Sequence, residues 1–315
     1  MGAIDSILED DLLEREYERL NPHQQILVTW QMQWLHNAHK HQIVPSGEWW
    51  NIWLLLGGRG AGKTRASAQT ISEWALIEPN TRWLVSAPTA GDIRGTIMEG
   101  ESGLLAVIPK PFLADYNKSL SEIKLINGSF IKGIPASEPE RFRGGQWHGA
   151  WLDELAAWEY LQESWDMIQF AVRLGKRTRI IASTTPKPKD VILNLIEREG
   201  DDVVVTRAST YTNIKNLAPS FQKQILQYEG TNLGRQEIHA EIIDPEEGGI
   251  VRREMFRLWP DGKPFPKFEF ILQSYDCAYT EKTVNDPTAS TTWGVFKPLD
   301  GPMGVMLIDA WQDRL

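Results

Sequence analysis

The chain has 315 residues, 42% of them hydrophobic, a net charge of −9 and a single cysteine. That length exceeds one typical domain and supports a sizeable core, and no apolar run approaches the ~20 residues of a membrane span. The acidic balance excludes a surface that is basic throughout, though not a local basic groove or a ring of subunits with a basic inner face, while the lone Cys277 excludes internal disulfides and cysteine zinc sites and suits a reducing compartment.

Residues 1–18 are acidic and Leu-bearing, unlike a signal or transit peptide. Residues 11–39 carry Leu, Tyr, Ile, Val and Trp at mixed helical spacing, which predicts one or two helices. Trp53-Leu-Leu-Leu56 then reads as a buried strand feeding Gly57-Gly-Arg-Gly-Ala-Gly-Lys-Thr64. This is the phosphate-loop pattern in its strand-then-helix setting. Its glycines let backbone N–H groups turn inward around a chain of phosphates. The binding set is therefore Gly57, Gly58, Arg59, Gly60, Ala61, Gly62, Lys63 and Thr64, with Lys63 reaching the β- and γ-phosphates and Thr64 ligating Mg²⁺. A helix over Arg65–Trp74 points its N-terminus at the anion. The pattern implies binding of a nucleoside triphosphate.

Further strands are expected at residues 82–88, 149–152, 179–183 and 203–206, with a hairpin around Asn127-Gly128 between Ile123 and Ile134. Helices are expected at 191–198 and 221–228. Strands alternating with helices predict a parallel sheet with its ligand at the strand C-terminal edge. The turn-rich stretch from Asp244 through Pro266 marks a domain boundary. The 14 tryptophans read as core and interface packing.

Three groups of residues carry chemistry beyond the phosphate loop. His148-Gly-Ala-Trp-Leu-Asp153-Glu154 is an apolar strand ending in two acids, so Asp153 would hold the metal and Glu154 would polarise the attacking water. The Glu next to the Asp suggests the branch of these ATPases that carries its catalytic base on the same strand. Ile180 to Thr185 empties into the hydroxyls of Ser183, Thr184 and Thr185, which could sense the γ-phosphate and pass its loss to a moving subdomain. Arg59 lies in the phosphate loop, and Arg141 and Arg143 sit on a glycine-flanked loop before the Asp153 strand. Guanidinium groups stabilise a transferring phosphoryl, in cis or from a neighbouring subunit.

These residues resemble the large terminase subunit, the DNA-packaging ATPase–nuclease of tailed bacteriophages. The resemblance runs through Gln42, Pro45, Trp49 and Trp53 into the phosphate loop. It continues with Arg143-Gly144, Trp151 to Glu154, Ser183-Thr-Thr-Pro-Lys, Tyr275-Asp276 and Asp286-Pro-Thr-Ala, covering most of residues 40–296. It implies an α/β fold: a P-loop ASCE/RecA-like parallel sheet flanked by helices, followed by an incomplete ribonuclease-H-like nuclease domain. The implied boundaries are 1–244 for the motor, with a lid subdomain at about 207–243, then 245–267 for a linker and 268–315 for the start of the nuclease. By resemblance, Gln42 contacts adenine, Arg59 is the phosphate-loop arginine, Arg143 rather than Arg141 is a finger between subunits, and Ser183, Thr184 and Thr185 form the coupling motif.

In the second domain the resemblance places a nuclease metal, Mg²⁺ or Mn²⁺, on Asp276 at the end of Phe268–Asp276. Asp286 and Asp309 are auxiliary candidates, with Glu281 and Asp313 weaker still. Strands are expected at 291–296 and 304–309. The family's later acids have no counterpart within 315 residues, so endonuclease activity is not expected of this chain. The implied cofactors are ATP and Mg²⁺. The implied partners are double-stranded DNA through its phosphates, the procapsid portal protein, the small terminase subunit and further copies in a ring, with no membrane. The implied location is the host cytoplasm at the procapsid portal, not the mature virion. Other readings of the same core are a helicase-like or repair ATPase and a nucleotide-gated portal-docking module.

Overall fold

A computed structural model of the chain describes residues 15–243, 255–260, 262–277, 288–298 and 301–313. The contacts divide it into two compact units, Met1–Gly249 and Ile250–Leu315. The turn-rich start at Asp244, and the first residues of the helical reading from residue 11, lie outside the described residues.

The first unit is built on an eight-stranded sheet. Its strands are β1 (Ile52–Gly57), β2 (Arg82–Ser86), β3 (Leu113–Asn117), β4 (Glu122–Leu125), β5 (Phe130–Gly133), β6 (Gly149–Asp153), β7 (Arg179–Thr184) and β8 (Val203–Ala208), in the spatial order β3-β4-β5-β2-β6-β7-β1-β8. The six strands from β5 to β8 are parallel, while the hairpin around Asn127-Gly128 adds β4 and then β3 as an antiparallel edge. The expected α/β sheet is thus present. Every residue of β1 is buried, as befits a strand covered on both faces.

Alternation along β1 divides the core. Trp53 and Leu55 face one cluster and Ile52, Leu54 and Leu56 the other. On the first face lie α1 (Pro22–Asn37) and α2 (Lys63–Ile77), where the Trp30 indole donates to the Val107 carbonyl at 3.0 Å and the Arg65 guanidinium lies over Trp34. Asn21 and Gln24 close a capping box on α1, with Pro22 pre-setting its first turn. Facing the second cluster are α3 (Leu161–Ala171) and α4 (Asp190–Glu197). Trp53, Trp83 and Trp151, one each on β1, β2 and β6, are fully buried in the first cluster. Their indole N–H groups donate to Thr206, Thr81 and Ser183, so these three pack in the core with their polar edges satisfied.

After β8 the chain makes a 3₁₀ turn at Thr210–Asn216, then α5 (Pro219–Ile225) and α6 (Asn232–Glu237). The region expected as a lid from about 207 thus starts inside β8. Among the described residues no helix is long and apolar enough to cross a membrane.

The second unit contains a three-stranded antiparallel sheet in the order β11-β10-β9, with β9 at Phe268–Asp276, β10 at Thr288–Phe296 and β11 at Gly304–Asp313. The first strand has its expected bounds. β10 starts three residues earlier than expected and β11 ends four later, because cross-strand pairing carries both past the apolar stretches that mark them in the sequence.

Candidate functional site

Parallel strands bring the chemistry-bearing residues to one edge. β7 lies between β1 and β6, pairing Leu55 and Leu56 with Ser183 and Thr184 on one side and Asp153 with Ser183 on the other. The phosphate loop after β1, the acids ending β6 and the hydroxyls ending β7 therefore share the C-terminal edge of the sheet. A cleft of about 640 Å³ opens there, lined by the loop from Arg59 to Thr64, by Gly95 and Thr96 of a π-helical turn, and by Glu154, Asn213 and Leu217.

Gly60 and Gly62 adopt φ of +73° and +86°, left-handed values that turn successive peptide groups over and that glycine accepts without strain. Gly62 is also the residue before the first turn of α2 and has no room for a Cβ against the Gln42 amide. The Lys63 side chain is 7% exposed, and its ammonium donates to the carbonyls of Gly57 (2.8 Å) and Gly58 (3.2 Å) and to the Thr185 hydroxyl (3.5 Å). It also stands 3.7 Å from the Glu154 carboxylate. The lysine is thus held at the cleft by contacts that an entering phosphate can replace.

Glu154 has φ of +48° and ψ of +46°, a left-handed conformation that costs roughly 1–2 kcal/mol in a non-glycine residue. The turn lifts its carboxylate out of the strand line, leaving it 41% exposed on the cleft, where the Thr185 N–H donates to it at 3.3 Å. Asp153, one residue back, is 4% exposed and accepts from the Ser183 hydroxyl at 2.7 Å, which in turn accepts from the Trp151 indole at 3.0 Å. Burial pushes the Asp153 carboxyl up to about 6, with Glu154 adding to the rise, while Ser183 and Lys63 hold it down. Carboxylate and hydroxyl oxygens are the hard donors Mg²⁺ prefers; Thr64 lines the cleft and Asp153 is buried one residue behind Glu154, so these two would hold such an ion.

A carboxyl whose folded pKa exceeds its ordinary 3.8 lends stability that is fully present below about pH 4 and is lost as pH rises through about 6. Asp153→Asn keeps the acceptor for Ser183 and removes the buried charge. It is expected to stabilise the metal-free protein at pH 7.5 by up to about 3 kcal/mol, with the advantage gone at pH 4. Urea unfolding at the two pH values checks this, and a difference that does not change with pH would refute it.

Of the three hydroxyls, Thr185 touches Lys63 and its own N–H meets Glu154, whereas the Thr184 hydroxyl accepts from the Ala156 N–H and donates to the Thr185 carbonyl. Ser183 serves Asp153. Ser183 and Thr185 are thus tied to the acids, whereas the Thr184 hydroxyl is spent on backbone groups. Gln42 is buried, its Oε1 accepts from the His39 N–H and its Nε2 donates to the Gly62 carbonyl at 3.0 Å. It borders a hollow of about 430 Å³ next to the cleft, shared with Trp34, Arg65, Asn213 and Asn216, but both ends of its amide are already engaged. Arg59 is 74% exposed and its guanidinium pairs with Glu237 of α6 at 2.8 Å.

The arginine loop before β6 does not line the cleft. Arg141 lines a separate hollow that runs along β5 from Phe130 through Lys132 to Ile134, with Arg82 and Trp147 beside it. Arg143 is 60% exposed, pairs with Glu140 at 2.9 Å and is not among the residues lining the cleft.

Sequence reasoning missed His41, Thr210 and Asn213, whose side chains bond the phosphate loop. Their partners lie 20 to 153 residues away, and no local pattern marks them. In the second unit, Asp276 pairs with Ala289 and Asp309 with Thr292. Those rows are three residues apart, about 10 Å along the sheet and on opposite faces, so Asp309 does not join Asp276 in one ligand set. Asp286 and Glu281 lie outside the described residues. Among the described residues no three His, Cys, Asp or Glu side chains converge to hold a metal.

A family profile for the T4likevirus-type terminase large subunit, N-terminal, matches residues 54–258. The chain is similar in fold to the large terminase of a thermophilic bacteriophage, with a TM-score of 0.53 at 14% identity over 91% of this chain and 68% of that one. The same phage's large terminase in complex with ADP matches at 0.52 and 13% identity, covering 94% of this chain and 69% of the other. The large terminase ATPase domain of Thermus phage P74-26 matches at 0.50 and 16%, covering 66% of this chain and 94% of that domain. A profile that spans the phosphate loop, both acids of β6, the hydroxyls of β7 and the helices after β8 covers well over half the molecule, and the chain belongs to the large terminase family.

Proposed function

We propose that this chain hydrolyses ATP and uses the energy to drive double-stranded viral DNA into a procapsid. The observation that carries the reading is the convergence at one sheet edge of the buried Lys63, the strained Glu154 and Thr185, which touches both. Structures of the thermophilic phage's large terminase with ADP and with ATP-γ-S support nucleotide as the ligand. Lys63 would leave the Gly57 and Gly58 carbonyls for the phosphates, and Glu154, freed of that cation, would take the proton of the attacking water. When bound, Mg²⁺ held by Thr64 and Asp153 would neutralise phosphate charge. Loss of the γ-phosphate would register at Thr185 and, through Arg59 and Glu237, at the helices after β8, which act as the lid.

On the same reading the chain works as a ring of copies at the portal, in the host cytoplasm, fed by a small terminase subunit. DNA contact is through phosphates and so falls with salt rather than with sequence. The second unit is the start of a ribonuclease-H-like nuclease with Asp276 as its first metal ligand, supported by a sequential antiparallel sheet whose first strand ends in that acid. The test is ATPase activity with and without linear DNA and portal-bearing procapsids, scored together with DNA protected from added nuclease. Stimulation plus protection is the expected result. Strand separation would favour a helicase-like motor, and slow hydrolysis indifferent to DNA and portal would favour a docking switch.

A further inference from the structure

Six consecutive carbonyls of the phosphate loop are tied down by side chains. Lys63 takes those of Gly57 and Gly58, the Thr210 hydroxyl that of Arg59 (2.8 Å), the Asn213 amide that of Gly60 (2.7 Å), the His41 imidazole that of Ala61 (2.8 Å) and Gln42 that of Gly62. A trans peptide is planar, and its C=O and the following N–H point to opposite sides. Anchoring the carbonyls of Gly60, Ala61 and Gly62 outward therefore aims the N–H groups of Ala61, Gly62 and Lys63 the other way. Of these, Ala61 makes only a 3.3 Å turn contact with Gly58. Burial keeps His41 below its ordinary pKa, so it donates to Ala61 as a neutral ring.

Within this harness Asn213 joins three segments. While its Nδ2 donates to Gly60, its Oδ1 accepts from the His39 ring at 3.0 Å and from the Asn216 amide at 2.7 Å. The Gly60 carbonyl can only accept, which fixes the amide orientation. One side chain thus connects the turn before β1, the phosphate loop and the 3₁₀ turn that leads to α5.

We propose that Asn213 is a positioning residue for nucleotide binding: it sets the Gly60–Ala61 peptide so that its N–H faces the phosphates, and through the same bond it ties residues 210–216 to the loop. This rests on the ATP reading above. Because the peptide is presented alike to substrate and transition state, its loss is felt in affinity rather than in turnover.

The test uses the full chain and ATP with Mg²⁺. Asn213→Leu keeps the volume and removes the donor without adding charge. Asn213→Asp keeps the acceptor for His39 and Asn216 and faces Gly60 with an oxygen. Both are expected to bind ATP roughly 10-fold or more weakly, with KM raised in proportion and kcat within about 3-fold of wild type. Nucleotide should shield Lys215 from trypsin in the wild type and fail to do so in both variants at equal occupancy. A space-filling role predicts near-normal affinity for both isosteres. If either folded variant binds within about 2-fold of wild type, or if kcat falls while KM holds, the assignment is overturned. Should the wild-type chain itself bind no ATP, the function reading fails first, and the two failures are told apart by that control.

Discussion

Glu154→Gln is expected to bind ATP about as well as the wild type and to lose hydrolysis by roughly 10²–10⁴-fold, the range a positioned general base contributes. The amide keeps the shape and an oxygen that still accepts from the Thr185 N–H, while the partner 3.7 Å from Lys63 loses its charge and the water loses its proton acceptor. Lys63→Ala, by contrast, should weaken binding as well as turnover, since the lysine is the cation that meets the phosphates. Strain and chemistry can be separated at the same position. Glu154→Gly relieves the left-handed backbone at φ +48° and should raise thermal stability by an amount on the order of 1 kcal/mol while also abolishing turnover. Equilibrium binding of a fluorescent ATP analogue and single-turnover phosphate release measure the two arms. Hydrolysis by Glu154→Gln at the wild-type rate would remove Glu154 from the role.

How much of this was legible depends on the range of the interaction involved. The β1 strand, the phosphate loop and α2 show in the sequence because a run of buried residues, glycine spacing and a helix start are all local signals. The hairpin shows through Asn127-Gly128 for the same reason. That β7 separates β1 from β6 is a sheet-order fact with no local trace, yet it is what places Ser183 against Asp153 and Thr185 against Lys63. The left-handed turn at Glu154 is likewise invisible, since nothing about a glutamate advertises φ above zero. The resemblance marks Gln42, and the structure places it against the phosphate loop. Its engagement at both amide ends was not legible, because that depends on His39 and on the Gly62 carbonyl 20 residues away. In the second unit the three strands were readable from their apolar stretches, but the pairing register that sends Asp276 and Asp309 to opposite faces exists only once the strands have met.

Arg143→Ala is expected to suppress ATPase of assembled subunits by about 10³-fold or more, the scale of an arginine finger. The geometry narrows how such an effect could arise. Arg143 is exposed, pairs with Glu140 three residues back, and stands apart from the residues that line the cleft of its own chain. A surface pair of that kind contributes roughly 0–1 kcal/mol to stability, so the substitution should leave the fold intact. In the proposed ring, a large loss of hydrolysis would come through a neighbour's nucleotide, and mixing becomes the deciding experiment. Rings assembled from Arg143→Ala and Glu154→Gln subunits contain some interfaces at which an intact Glu154 meets an intact Arg143. Those interfaces should recover measurable hydrolysis that neither variant shows alone, with a maximum at an intermediate mixing ratio. Arg141→Ala provides the comparison: its guanidinium pairs with Glu138 at 3.3 Å and lines the separate hollow along β5, so it should change the assembled rate little. Absence of rescue across the mixing series would show that Arg143 acts within its own chain or not at all. A loss in Arg141→Ala equal to that in Arg143→Ala would move the finger two residues back along the loop.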